Sequence, residues 1–207
     1  PKDWGWTAKE GRQLCENFFQ PLVDMHNVDY EAVGLGDFGK PEGYVNRQIM
    51  GWNRRFEAAW TDDIEKFEDV QTWLVDNMPS KERGAAIIHG DYRIDNCILK
   101  QDDPTQIEAI LDWEISALGD PMMDLGNTLA YWIEADDPAP MHAMVRQPSV
   151  AEGMMTRSEI LAYYAQKNGC GCVQFSFLLC LWNFSPRGDL TANLLPLLSR
   201  SNQRCAI

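Results

Sequence analysis

His89-Gly90-Asp91-Tyr92-Arg93-Ile94-Asp95-Asn96, with Asp112-Trp113-Glu114 opening sixteen residues after Asn96, is the part of this chain from which the rest can be placed. Ala85-Ala86-Ile87-Ile88 is a short apolar run, read as a buried strand that delivers His89 and Asp91 at its end. Cys97-Ile98-Leu99 and Ile107-Glu108-Ala109-Ile110-Leu111 are two further strands by the same criteria. Between them Gln101-Asp102-Asp103-Pro104-Thr105 is turn chemistry, with Asp bonding its own backbone and Pro fixing φ. The pattern predicts a hairpin that returns Asn96 and Asp112 to the side of Asp91. Carboxylates held that close are costly unless a cation lies between them, and magnesium suits oxygen donors of this kind.

In order and spacing, Asp91, Asn96 and Asp112 resemble the catalytic loop and metal-binding segment of kinases. Protein kinases read H-R-D-x-x-x-x-N and D-F-G there; this chain reads H-G-D-x-x-x-x-N and D-W-E. The variant is similar to the aminoglycoside phosphotransferase and choline kinase family, relatives of protein kinases that act on small molecules. That resemblance implies an α+β, mostly helical architecture: the C-terminal lobe of a protein-kinase-like fold with a small catalytic β-hairpin. It implies Asp91 as the base, Asn96 and Asp112 as Mg2+ ligands, ATP as co-substrate and a small-molecule hydroxyl as acceptor.

Leu118-Gly119-Asp120-Pro121-Met122-Met123-Asp124-Leu125-Gly126 adds to the likeness, since in the family a G-D-P-x-x-D segment buttresses the metal-binding loop. Asp120 before Pro121 is also a helix start on local grounds, and both Asp120 and Asp124 read as structural. Val33 to Pro41, the Arg47 to Arg55 helix and Leu111 to Glu114 narrow the resemblance to phosphotransferases associated with acyl-CoA dehydrogenases. Over about Phe18 to Gly169, this implies a hydroxyacyl-CoA or aminoglycoside-like acceptor and an association with an acyl-CoA dehydrogenase.

Each residue also has a plainer role. A lone Asp beside a strand caps a turn more often than it catalyses; the joint spacing reverses that for Asp91, Asn96 and Asp112. His89 reads as a structural holder of the loop. Glu114 is a second metal contact or the partner of a nearby cation. Arg93 and Asp95 form a local ion pair. Arg47, Arg54 and Arg55 make a solvated basic face before they make a phosphate or carboxylate site. A catalytically dead kinase-like binding module is the rival reading, and intact Asp91, Asn96 and Asp112 count against it. A metal-dependent phosphohydrolase would gather more carboxylates or histidines.

Gly34, Gly36 and Gly39 spell G-x-G-x-x-G, but no strand precedes them and Pro41 is expected to open a helix, so they read as a loop between helices. About fifty residues separate them from the catalytic loop, too few for a nucleotide-covering lobe. The chain therefore reads as a C-lobe over residues 1–169, cut from its N-lobe and inactive alone. Helices are expected over Trp6 to Met25, with Pro21 a kink or break, over Pro41 to Trp60, and over Ile64 to Met78. An irregular stretch from Ala135 to Gly153 precedes a capping box at Thr156 to Glu159 and a stop at Gly169.

A net charge of −13 argues against a nucleic-acid partner, and no apolar run is long enough for a membrane span. Six cysteines without paired C-x-x-C spacing point to reduced thiols and a cytoplasmic setting. After Gly169 the composition changes: Cys170 to Ile207 holds one acidic residue, Asp189, and four of the six cysteines. Back-translating Phe177 to Ala206 and reading one nucleotide later permits a peptide resembling the family's closing helix. Residues 170–207 are therefore read as an aberrant tail and a frameshift product.

Overall fold

Thr7 starts the first helix, α1 (Ala8–His26), with a capping box: its hydroxyl accepts the Glu10 N–H and the Glu10 carboxylate accepts the Thr7 N–H. This computed structural model describes residues 5–63, 65–79, 82–143 and 145–169, so the reading of 170–207 as an aberrant tail lies outside the described residues. Along α1, Leu14, Phe18, Phe19 and Leu22 are fully buried. Phe18 stacks on Tyr92 at 4.6 Å between ring centroids, and Phe19 meets Trp132 edge-on at 5.3 Å. Pro21 neither breaks nor ends the helix. Core contacts on both sides of it, from Phe18, Phe19, Leu22 and Val23, outweigh the backbone hydrogen bond that proline removes.

Two helices follow: α2 (Tyr44–Ala59) and α3 (Glu68–Asp76). The first begins three residues later than Pro41. Its free N–H groups are satisfied from a distance, because the Glu82 carboxylate accepts Gly43 N–H at 2.9 Å and Val45 N–H at 2.8 Å. The G-x-G-x-x-G stretch is a loop between α1 and α2, as expected.

The strands are short: β1 (Ala86–Ile88), β2 (Cys97–Leu99), β3 (Ile107–Ile110) and β4 (Ala117–Gly119). β2 and β3 form the anticipated antiparallel hairpin, Cys97 opposite Ile110. β4 was not anticipated. It pairs antiparallel with β1 in the register Ala86–Gly119, Ile87–Leu118, Ile88–Ala117, so the chain after the hairpin returns along the strand that feeds the catalytic loop.

Helix α4 (Pro121–Ala130) starts at the Asp120 cap, whose carboxylate accepts Met122 N–H at 2.8 Å and, from outside the helix, Arg83 N–H at 2.9 Å. The largely irregular 131–156 region holds a short helix, α5 (Ala139–His142), and a 3-10 turn, Pro148–Val150, and is anchored by Arg157, which pairs with Asp137 and Glu134. A second capping box at Thr156 and Glu159 opens α6 (Arg157–Asn168), and Gly169 stops it in the left-handed conformation at φ 61°.

Candidate active site

β1 ends at Ile88, and the next two backbone N–H groups are taken by one buried side chain. The Asp124 carboxylate, on the first turn of α4, accepts His89 N–H at 2.7 Å and Gly90 N–H at 2.8 Å. A third contact comes from His26 at the end of α1, whose Nε2 lies 3.2 Å from the same carboxylate while Nδ1 lies 2.6 Å from the Tyr164 hydroxyl. The Asn127 amide donates to the Gly90 carbonyl. Gly90 itself has φ +84°, and a Cβ there would sit 3.0 Å from the Ile115 side chain. The turn into the loop is thus set by α4 and α1 together.

His89 is buried and spans the site. Asp91 N–H donates to Nδ1 at 3.2 Å, which makes Nδ1 an acceptor and puts the proton on Nε2. Nε2 then donates to the Leu111 carbonyl at 2.8 Å, tying the catalytic stretch to the end of the hairpin. Trp113 tilts against the His89 ring at 4.8 Å. The structural reading of His89 is borne out.

Asp91 and Asn96 come together directly. Asn96 Nδ2 donates to the Asp91 carbonyl at 2.9 Å and to its carboxylate at 3.2 Å, which leaves Oδ1 of Asn96 as an oxygen donor. The Asn96 carbonyl accepts Leu111 N–H at 2.8 Å, so the residue before Asp112 is pinned to both Asn96 and His89. Asp112 has left-handed backbone, φ 66°, unusual outside glycine. Its side chain is exposed and has no hydrogen-bond or ion-pair partner among the described residues; Glu114 is likewise exposed.

Arg93 does more than pair with Asp95. Its Nε is 3.1 Å from one Asp91 carboxylate oxygen and Nη2 donates to the other at 3.1 Å, closer than the 3.5 Å to Asp95. The guanidinium also lies over the Tyr131 ring, 4.9 Å from its centroid. The expected ion pair with Asp95 is present, and two closer contacts, one of them a hydrogen bond, orient the Asp91 carboxylate as well. Neighbouring Cys97 is pushed up to about 12 by burial and stays a thiol.

Asp112 and Asn96 offer hard oxygen donors in adjacent, mutually tethered segments, which fits magnesium. That ion is typically held by one or two carboxylates, water and substrate phosphates rather than by a full protein cage. Among the described residues no three His, Cys, Asp or Glu side chains converge as a cage of their own. Asp124, His26 and Asn127 complete the site from outside the quoted stretch. The G-D-P-x-x-D likeness pointed to Asp124; nothing local pointed to the other two. No described helix is long and apolar enough to cross a membrane.

Residues 2–159 match the model of the APH phosphotransferase enzyme family. Human acyl-CoA dehydrogenase family member 11 is 30% identical over 183 residues, covering 87% of this chain and 22% of the human protein. Mouse acyl-CoA dehydrogenase family member 10 is 38% identical over 120 residues, covering 58% of this chain and 11% of that protein. A candidate aminoglycoside phosphotransferase from Ralstonia eutropha superposes with a TM-score of 0.75 at 28% identity, covering 97% of this chain and 64% of that one. The chain thus spans about a fifth of the length of the human relative and under two thirds of the solved one. The expected kinase-like, mostly helical α+β fold is borne out, and the chain belongs to the phosphotransferase enzyme family.

Proposed function

We propose that this chain carries the catalytic lobe of a small-molecule kinase, which transfers the γ-phosphoryl group of ATP to a hydroxyl. The observation that carries the reading is the tethered set Asp91, Asn96 and Asp112. Asn96 holds Asp91 through its side chain and the residue before Asp112 through its carbonyl. Asp91, oriented by Arg93, accepts the proton of the attacking hydroxyl as the new oxygen–phosphorus bond forms and the bond to the β-phosphate breaks, releasing ADP. Asn96 Oδ1 and the Asp112 carboxylate would hold Mg2+, which when bound neutralises charge on the phosphate oxygens.

The names of the human and mouse relatives support an acyl-CoA dehydrogenase as associate, and a hydroxylated acyl thioester is proposed as the acceptor. Residues 1–207 alone are proposed to be inactive, because positioning supplies most of the catalysis in phosphoryl transfer and the chain spans only part of its relatives' length.

The test uses the protein at its full natural length with Mg-ATP and a panel of hydroxyacyl thioesters and aminoglycosides. Asp91→Asn is expected to lower kcat by about 10²–10⁴-fold with little change in ATP affinity. Asp112→Asn is expected to abolish magnesium-dependent transfer. Near-normal turnover in either variant removes that residue from its role. Absence of transfer to any acceptor by the parent sinks the reading.

A further inference from the structure

Gln147 sits in the irregular stretch between α5 and α6, yet it is 3% exposed. Pro148 biases the residue before it toward extended backbone, and Gln147 has φ −111° and ψ 156°. From that position its carboxamide reaches two backbone groups. Oε1 accepts the N–H of Ile94 at 3.0 Å, and Nε2 donates to the carbonyl of Tyr131 at 3.2 Å.

Both groups belong to the seat of Arg93. The Ile94 N–H is part of the peptide that follows Arg93, and the Tyr131 ring is the platform on which the Arg93 guanidinium lies. One amide thus fixes the backbone behind Arg93 and the residue beneath it. Arg93 in turn donates to one oxygen of Asp91 and lies 3.1 Å from the other. Gln147 touches no reacting atom on this path; it acts through Arg93.

We propose that Gln147 is a positioning residue for phosphoryl transfer, clamping the Arg93–Ile94 peptide to Tyr131 so that Arg93 presents the Asp91 carboxylate in one orientation. The proposal rests on the reading of Asp91 as the base. Only an amide does both jobs here. A glutamate at 147 could accept from Ile94 but not donate to Tyr131, and a methionine would fill the volume and do neither.

The test uses the full-length protein with Mg-ATP and water as acceptor, in parallel with hydrogen exchange at Ile94. Gln147→Met is expected to speed exchange at Ile94 and to lower kcat about tenfold, the effect of roughly one lost orienting hydrogen bond, with the KM for ATP within about twofold. Gln147→Glu should keep Ile94 protected and still lose turnover. Because Gln147 acts through Arg93, adding Gln147→Met to Arg93→Ala should lower kcat by less than about threefold further. A purely structural role would instead give the same fold-loss in both backgrounds, and that result overturns the proposal. Unchanged Ile94 exchange in Gln147→Met, or in Gln147→Ala should the methionine variant not fold, overturns it as well. If the parent shows no turnover with water or with any of the hydroxyacyl thioesters and aminoglycosides while Ile94 exchange still responds, the phosphotransferase reading fails and the positioning role falls with it, the clamp itself standing.

Discussion

Asp124 and His89 lie thirty-five residues apart and are joined by a 2.7 Å hydrogen bond from the His89 backbone N–H to the Asp124 carboxylate. The neighbouring Gly90 N–H donates to the other oxygen of the same group. A fully buried carboxylate with two backbone donors and His26 beside it is a strong constraint on where the catalytic stretch can go. Asp124→Ala leaves both N–H groups buried without an acceptor. It is expected to cost about 2–4 kcal/mol in urea unfolding and to expose His89 and Gly90 to hydrogen exchange. A loss below about 0.5 kcal/mol, the range of ordinary surface substitutions, would show that the loop is held by other means.

Gly11 offers a test in which local and tertiary effects have opposite signs. In a free helix Gly→Ala stabilises by about 0.5–1 kcal/mol. Here a Cβ at Gly11 would lie 2.3 Å from the Glu152 carbonyl oxygen, a backbone atom. Gly11→Ala is therefore expected to destabilise by about 1–3 kcal/mol in chemical denaturation. A gain in stability would mean that residues 151–153 do not pack on α1 as described.

Two ion pairs of α6 and α1 should differ sharply. Arg157 and Asp137 have side chains only 8% and 4% exposed, and Arg157 Nη1 donates to Asp137 at 2.9 Å. Asp137→Ala leaves the buried guanidinium with Glu134 at 3.5 Å as its remaining carboxylate and should cost about 1.5–3 kcal/mol. Arg12 and Glu159 also meet, at 2.7 Å, but both are close to half exposed, and Arg12→Ala should cost about 0–1 kcal/mol. Thermal unfolding of the two variants checks the order; equal losses contradict it.

Burial pushes Cys15 up to about 11 and Cys97 up to about 12. The thiolate is the reactive form, so iodoacetamide at pH 8 should leave both unmodified in the native protein and label both after unfolding. Peptide-resolved mass spectrometry reads this directly. Rapid native labelling of Cys97 would show that the hairpin base opens readily.

Most of the local structure could be read from residue types at fixed offsets. The capping box at Thr156, the Asp120-Pro121 start and the Gly169 stop each depend on residues no more than three positions apart, so the sequence states them outright. The hairpin and the Asp91–Asn96 pairing follow for the same reason, since a turn and one short loop bring the partners together. Boundaries were less legible where a distant group does the capping, as Glu82 does for α2.

By itself the sequence determined the order of the longer helices and of the first three strands, the spacing of Asp91, Asn96 and Asp112, and the family they resemble. Tertiary structure alone decided that β4 returns beside β1, that Arg93 prefers Asp91 to Asp95, and that His26 lies against Asp124 with Gln147 beneath the loop. These contacts join residues whose neighbours in the chain carry no sign of them. Arg93 has a carboxylate on either side in sequence and pairs with both, and only the packed loop, with the guanidinium over Tyr131, brings it closer to Asp91. Short-range hydrogen bonds are fixed by residue type and offset, whereas long-range ones exist only once burial has brought the segments together and removed the water that would otherwise satisfy them.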